Sequence, residues 1–143
     1  MTATPCNIIV YDFSIEGVSG NSVSFERGNE VNIYISFSIC DNTGAIVSPQ
    51  NKNIEVSVIN YYTQEDDYNG LNIVQKSDKV PDGNLNGSYY KVFTVSGGND
   101  VSLKSLTIGY KITLSDSVYT GEAISAASRG AQNYIAIQSF SSK

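Results

Sequence analysis

Apolar and polar residues alternate with a period of two along most of this chain. The clearest run is 31–40, where Val31, Ile33, Ile35, Phe37 and Ile39 face one way and Asn32, Tyr34, Ser36 and Ser38 the other. Unbroken alternation of this kind predicts a half-buried strand. Residues 103–114 repeat it with Leu106, Ile108, Tyr110, Ile112 and Leu114. Residues 8–15 place Ile9, Tyr11, Phe13 and Ile15 on one side. Residues 53–62 carry an inner row of Ile54, Val56 and Val58, and 88–95 carry Tyr89, Phe93 and Val95. Shorter strands are expected around Val23 and Phe25, at 45–47 and at 133–140, with 71–75 either a strand or a continuation of the preceding loop. The small, polar stretch 120–131, with Gly121 and Gly130, reads as a loop.

Turn chemistry separates these runs. Asp41-Asn42-Thr43-Gly44 has side chains that bond their own backbone and a glycine that accepts positive φ. Similar clusters stand at 17–21, 27–29, 79–87 and 97–100. Strands spaced 8–12 residues apart, with no helical period of ordinary length, predict an all-β sandwich or barrel. Strands with a single apolar face must cover one another, which favours two packed sheets. The expected fold is an antiparallel β-sandwich of seven to eight strands, formed as a single domain over 1–143.

Composition supports this and narrows the chemistry. Fifteen Ile and thirteen Val stand against five Leu and seven Ala, as a pleated surface prefers. The chain contains no His and no Trp, so a Ser-His-Asp triad, a Cys-His pair and any His-ligated metal are excluded. Nine Lys and Arg are scattered singly among fourteen Asp and Glu, for a net charge of −5. A nucleic-acid binder would gather its basic residues into a face. Charged residues make up only 16% of the chain, which leaves a polar, weakly repelling surface suited to packing against neighbours. No apolar run approaches the length of a spanning helix. The N-terminus lacks a signal peptide's basic and apolar regions. Cys6 and Cys40 are read as buried free thiols, with a disulfide in an oxidising compartment as the alternative.

The order of parts resembles an immunoglobulin-like module of the kind found on bacteriophage virions and bacterial surface proteins. The resemblance lies in an N-terminal strand followed by GNEVNIYISFSICDNTGAIV (28–47), then NIEVSVIN (53–60), and later NGSYYKVFTV (86–95) with its glycine-then-tyrosine strand start. It implies an immunoglobulin-like sandwich. The buried Trp and two-cysteine frame of antibody domains are absent.

Several residues are candidates for chemistry. Asp82, Asn84 and Asn86 in DGNLNG match the first half of a Ca²⁺ loop, with oxygens at alternate positions and a glycine at the sharp turn. The twelfth position is Phe93 instead of Glu, so an ordinary hairpin turn is the competing reading. Glu65-Asp66-Asp67 is the densest acidic run, either a cation site or a solvated loop. Asn86-Gly87-Ser88 is a glycosylation sequon that matters only on export. Ten Tyr stand out. Tyr61, Tyr62, Tyr68, Tyr89 and Tyr90 are candidate partner-contact residues, because tyrosine gives apolar area with a polar tip at low entropic cost. One member of each adjacent pair is expected to point inward. No carboxylate pair stands in a recognisable catalytic motif.

The expectation is a non-enzymatic structural protein with no cofactor. It would be a capsid decoration or tail-associated virion subunit, assembled in the host cytoplasm, contacting copies of itself or other capsid or tail proteins. Face burial, or strand addition at 8–15 or 133–140, would provide the contact. A secreted adhesin or filament subunit is the first alternative. A carbohydrate-binding module using Tyr61, Tyr62, Tyr68 and the acidic loop is the second.

Overall fold

A computed structural model describes residues 3–76, 88–97, 104–125 and 133–140. The described chain is all-β. Its strands are β1 (Thr4–Pro5), β2 (Asn7–Ile15), β3 (Ser22–Glu26), β4 (Glu30–Cys40), β5 (Ile46–Val47), β6 (Ile54–Asn60), β7 (Asn72–Gln75), β8 (Ser88–Ser96), β9 (Lys104–Ser115), β10 (Tyr119–Ile124) and β11 (Ile135–Phe140). A 3-10 turn at Asn51–Asn53 leads into β6. No helix among the described residues is long and apolar enough to cross a membrane.

Two sheets pack face to face. In the first, β9 is the spine. β6 lies along one side of it, from Ile54↔Leu114 to Asn60↔Ile108. β10 and β11 follow each other along the other side, β10 against 111–115 and β11 against 104–108. β1 and β3 border β10 and β11 in turn, and both of these pairings are parallel. The second sheet runs β2-β4-β8-β7, with β5 added at the end of β4.

Among the described residues eleven strands stand against the seven or eight expected, and the pairing is not wholly antiparallel. The strands that the pattern does not announce are the two-residue β1 and β10, which lies in line with β11. The parallel pairs join strands remote in sequence, where no hairpin imposes an antiparallel direction. β10 also occupies part of the stretch 120–131 that reads as a loop. Its small residues serve close packing: a Cβ at Gly121 would come within 3.0 Å of the Cys6 carbonyl oxygen. Residues 126–131 lie outside the described residues.

Both clear alternations fill the space between the sheets. Ile33, Ile35, Phe37 and Ile39 of β4 and Ile108 and Ile112 of β9 are fully buried. Phe13 of one sheet meets Tyr110 of the other edge to face, with ring centroids 5.1 Å apart.

β2 departs from its sequence pattern. Its register against β4 slips between Val10↔Phe37 and Asp12↔Ser36, leaving Tyr11 as an extra residue. A bulge of one residue reverses the facing of everything beyond it. Ile8 and Val10 therefore pack on the core before the bulge, and Phe13 and Ile15 after it. Ile9 and Tyr11, expected inside, are 43% and 60% exposed.

Candidate functional site: two tyrosine surfaces

The outward faces of the two sheets carry different side chains. On the first sheet, the outward residues of β9, β10 and β11 include Ser105, Thr107, Lys111, Thr113, Glu122 and Gln138, with the exposed Phe140 at the end of the β11 row. On the second, the pairings Asp12↔Ser36↔Tyr90 and Ser14↔Tyr34↔Val92 align across three strands. Tyr34 and Tyr90 form a tilted pair with centroids 5.5 Å apart. The bulge adds Tyr11 to the same face, where its hydroxyl and that of Ser38 share a hydrogen bond. Ser38 is fully buried although it lies on the outward row. Ile9, Ile46 and Val74 are also exposed on this sheet.

A polar ladder fixes one end of this face. Thr94 Oγ1 donates to Asn32 Oδ1 at 2.8 Å, and Asn32 Nδ2 donates to Glu16 Oε2 at 2.7 Å. The Asn32 bond, together with one from Tyr34, holds the Glu16 carboxyl below its ordinary pKa. Desolvation and the Glu16 carboxylate push the Tyr34 phenol up to about 12. Tyr34 therefore stays protonated and its ring orientation is pinned.

The second surface lies where β6 ends. Asn60 caps the turn that follows, its Oδ1 accepting from the amides of Tyr62 and Thr63. Tyr61 packs edge to face on Tyr62, with centroids 5.4 Å apart, and lies 5.6 Å from Tyr134. Tyr62 is 76% exposed. Beneath them, Gly109 leaves room on the outer side of β9 for Ser125, which is fully buried. The Ser125 Oγ accepts the Tyr110 amide at 2.9 Å, bridging the gap in the ladder between β10 and β11.

The tyrosines expected to make contacts divide accordingly. Tyr62 is exposed, and Tyr61 and Tyr90 are half-buried. Tyr68 is not available: its ring packs on the core and its hydroxyl donates to the Val58 carbonyl at 2.7 Å. Tyr89 also turns inward, stacking on Phe37 at 5.3 Å and donating to the Pro49 carbonyl at 2.8 Å. One-in, one-out holds for Tyr89 and Tyr90. It fails for Tyr61 and Tyr62 because the strand has ended at Asn60 and the alternation with it. Tyr11, Tyr34 and Tyr134 were not singled out by the sequence. The period-two pattern shows Tyr34 facing outward, whereas Tyr11 is exposed only through the bulge.

Among the described residues no group of three Cys, Asp or Glu is placed to hold a metal ion. In the acidic loop, Asp67 Oδ1 accepts the Asn69 amide, a turn contact. The Ca²⁺ candidates Asp82, Asn84 and Asn86 lie outside the described residues. Cys6 and Cys40 are free thiols. Cys6 packs on the core side, whereas Cys40 belongs to the outward row with Asn7 and Ile46. Desolvation, with Asp41 and Cys40 nearby, pushes the Cys6 thiol up.

The strand-edge candidates also separate. Among the described residues β2 pairs only with β4 and is an edge of its sheet. β11, the expected last-strand edge, is flanked by β9 and β3 and offers no free edge. Comparison of the chain with protein-family models, with characterised proteins and with solved structures returns no match.

Proposed function

We propose that this protein is a non-enzymatic structural subunit that works by protein–protein contact through the outward face of the second sheet. The observation that carries this reading is the row of apolar and aromatic side chains across the strands of the second sheet. Ile9, Tyr11, Tyr34, Tyr90, Val92 and Val74 share its outward face. Aromatic residues set among hydroxyls and amides mark the centre of a protein contact. Face burial is favoured over strand addition, because the bulge at Tyr11 breaks the β2 edge as a template.

The setting we propose is a virion, as a decoration or tail-associated subunit with immunoglobulin-like topology. It rests on the resemblance of 28–47, 53–60 and 86–95 to modules of that kind. The alternative of a secreted adhesin held by a Cys6–Cys40 bridge is less well supported, since both thiols are free.

Sedimentation over a range of concentrations, alone and with candidate capsid or tail subunits, tests the contact. Tyr11→Ser combined with Val74→Ser is expected to weaken association about tenfold or more with thermal stability retained. Association unchanged by the double substitution would remove this face as the interface.

A further inference from the structure

We infer a second binding surface, a shallow trough on the outward side of the first sheet that takes a neutral saccharide chain. Two adjoining depressions of about 330 and 230 Å³ share Ser105, Leu106 and Thr107. The first continues over β11 and β3 through Gln138 and Ser24. The second continues past Asn69 and Asp67 to Tyr62. Crossing from β3 to the loop after β6 takes about three strand spacings, roughly 15 Å. The combined space is in the range of ligand sites.

The lining selects the ligand. Its hydroxyls and amides already bond along the floor, Ser24 to Gln138, Gln138 to Ser105 and Asn69 to the Ser105 carbonyl, and their remaining lone pairs and protons offer both acceptors and donors, as polyols require. Among the described residues no cation lines either depression, so phosphate and acidic sugars lack a counter-charge. Among the described lining residues the sole charge is Asp67, an acceptor for hydroxyl groups. A flat protein partner would find no exposed apolar anchor along the floor. At one end Tyr62 stands up from the surface with its ring braced by Tyr61. The negative face of such a ring attracts the slightly positive C–H edges of a pyranose. The trough is separate from the contact face of the second sheet, and the two can fail independently.

The test is calorimetric titration of the full chain with cellohexaose, maltohexaose, mannohexaose and chitohexaose, after screening on an array of neutral and acidic glycans. At least one neutral glycan is expected to bind with a millimolar or tighter Kd. Tyr62→Ala and Gln138→Leu are each expected to weaken binding about tenfold. Tyr11→Ser, on the opposite sheet, is expected to leave it unchanged. Tyr62 is too exposed for its loss to unfold the chain, and Gln138→Leu is an independent check from the other end. No binding to any neutral glycan, binding restricted to acidic glycans, or full affinity in both trough variants would overturn the inference.

Discussion

Gly109→Ala is the most informative single substitution in this fold, because one methyl group tests how the chain closes over β9. A Cβ at Gly109 would overlap the Ser125 Oγ and come within 3.3 Å of Tyr61 Cδ1. Neither neighbour yields freely. Ser125 is fully buried and its Oγ accepts the Tyr110 amide; turning it away orphans that amide, at about 1–3 kcal/mol. Displacing the packed groups above the strand adds about 1–3 kcal/mol. Loss of glycine's freedom in the unfolded chain returns about 0.5–1 kcal/mol. The net is a destabilisation of about 3 kcal/mol, or about 6–12 °C in melting temperature for a chain of this size. Thermal and urea unfolding followed by circular dichroism measure it. The double variant Gly109→Ala, Ser125→Ala separates the two contributions. With the hydroxyl gone the overlap is relieved, so the combined cost should fall short of the sum by about 1–2 kcal/mol. A melting temperature within about 1 °C of wild type for Gly109→Ala would refute the reasoning, as would strict additivity.

Three further outcomes are expected. Deleting Tyr11 joins Val10↔Phe37 directly to Asp12↔Ser36, so both inward rows survive; the variant should fold and lose association, and an unfolded product by circular dichroism would show that the bulge holds the strand in register. Tyr34 should titrate near 12 by ultraviolet difference spectroscopy, and Glu16→Gln should bring it down. A phenol whose folded pKa is raised contributes stability that is fully present below the unfolded value near 10 and is lost as pH rises through 12, so stability should fall across that window; a lone tyrosine transition near 10 would contradict the geometry. Cys6 and Cys40 should both alkylate after unfolding without reductant, and in the folded protein Cys6 should react more slowly than an ordinary thiol; a mass that changes on reduction would show a bridge.

The parts of the fold legible in the sequence are those where one physical rule acts alone. β4 and β9 alternate cleanly because each has one face in the core along nearly its whole length. Their inward rows, Ile33 to Ile39 and Leu106 to Leu114, are buried as the period requires. Legibility ends where a second constraint intrudes. In β2 one added residue reverses the facing, and nothing local in IIVYDFSI distinguishes a bulge at Tyr11 from a straight strand with Ile9 and Tyr11 inside. In β10 the residues resemble a loop because Gly121 and Ala123 are small, yet they are small because the chain passes close by at Cys6. Tyr68 looks like a surface tyrosine, and only the fold shows a backbone carbonyl waiting for its hydroxyl, whereas alternation with Phe93 and Val95 already sets Tyr89 inward.

The same distinction bears on where the protein makes its contacts. An outward tyrosine on a regular strand, such as Tyr34 or Tyr90, is fixed by alternation and persists in any fold that buries β4 and β8. Tyr11 and the Tyr61, Tyr62 and Tyr134 group exist only through irregularities: a bulge, a strand ending and a gap in the ladder bridged by Ser125. Regular strands need none of these to form a sandwich. Bulges beside binding sites re-aim side chains at the cost of ladder pairing. Here they place aromatic rings outward on both sheets, beside a polar ladder on one and a neutral trough on the other. If those rings served only packing, replacing each bulge or gap by regular strand would strengthen the fold and change nothing else. The Tyr11 deletion sets that alternative against the one argued here, since the bulge is coupled to an outward ring whose loss is read as association, separately from stability.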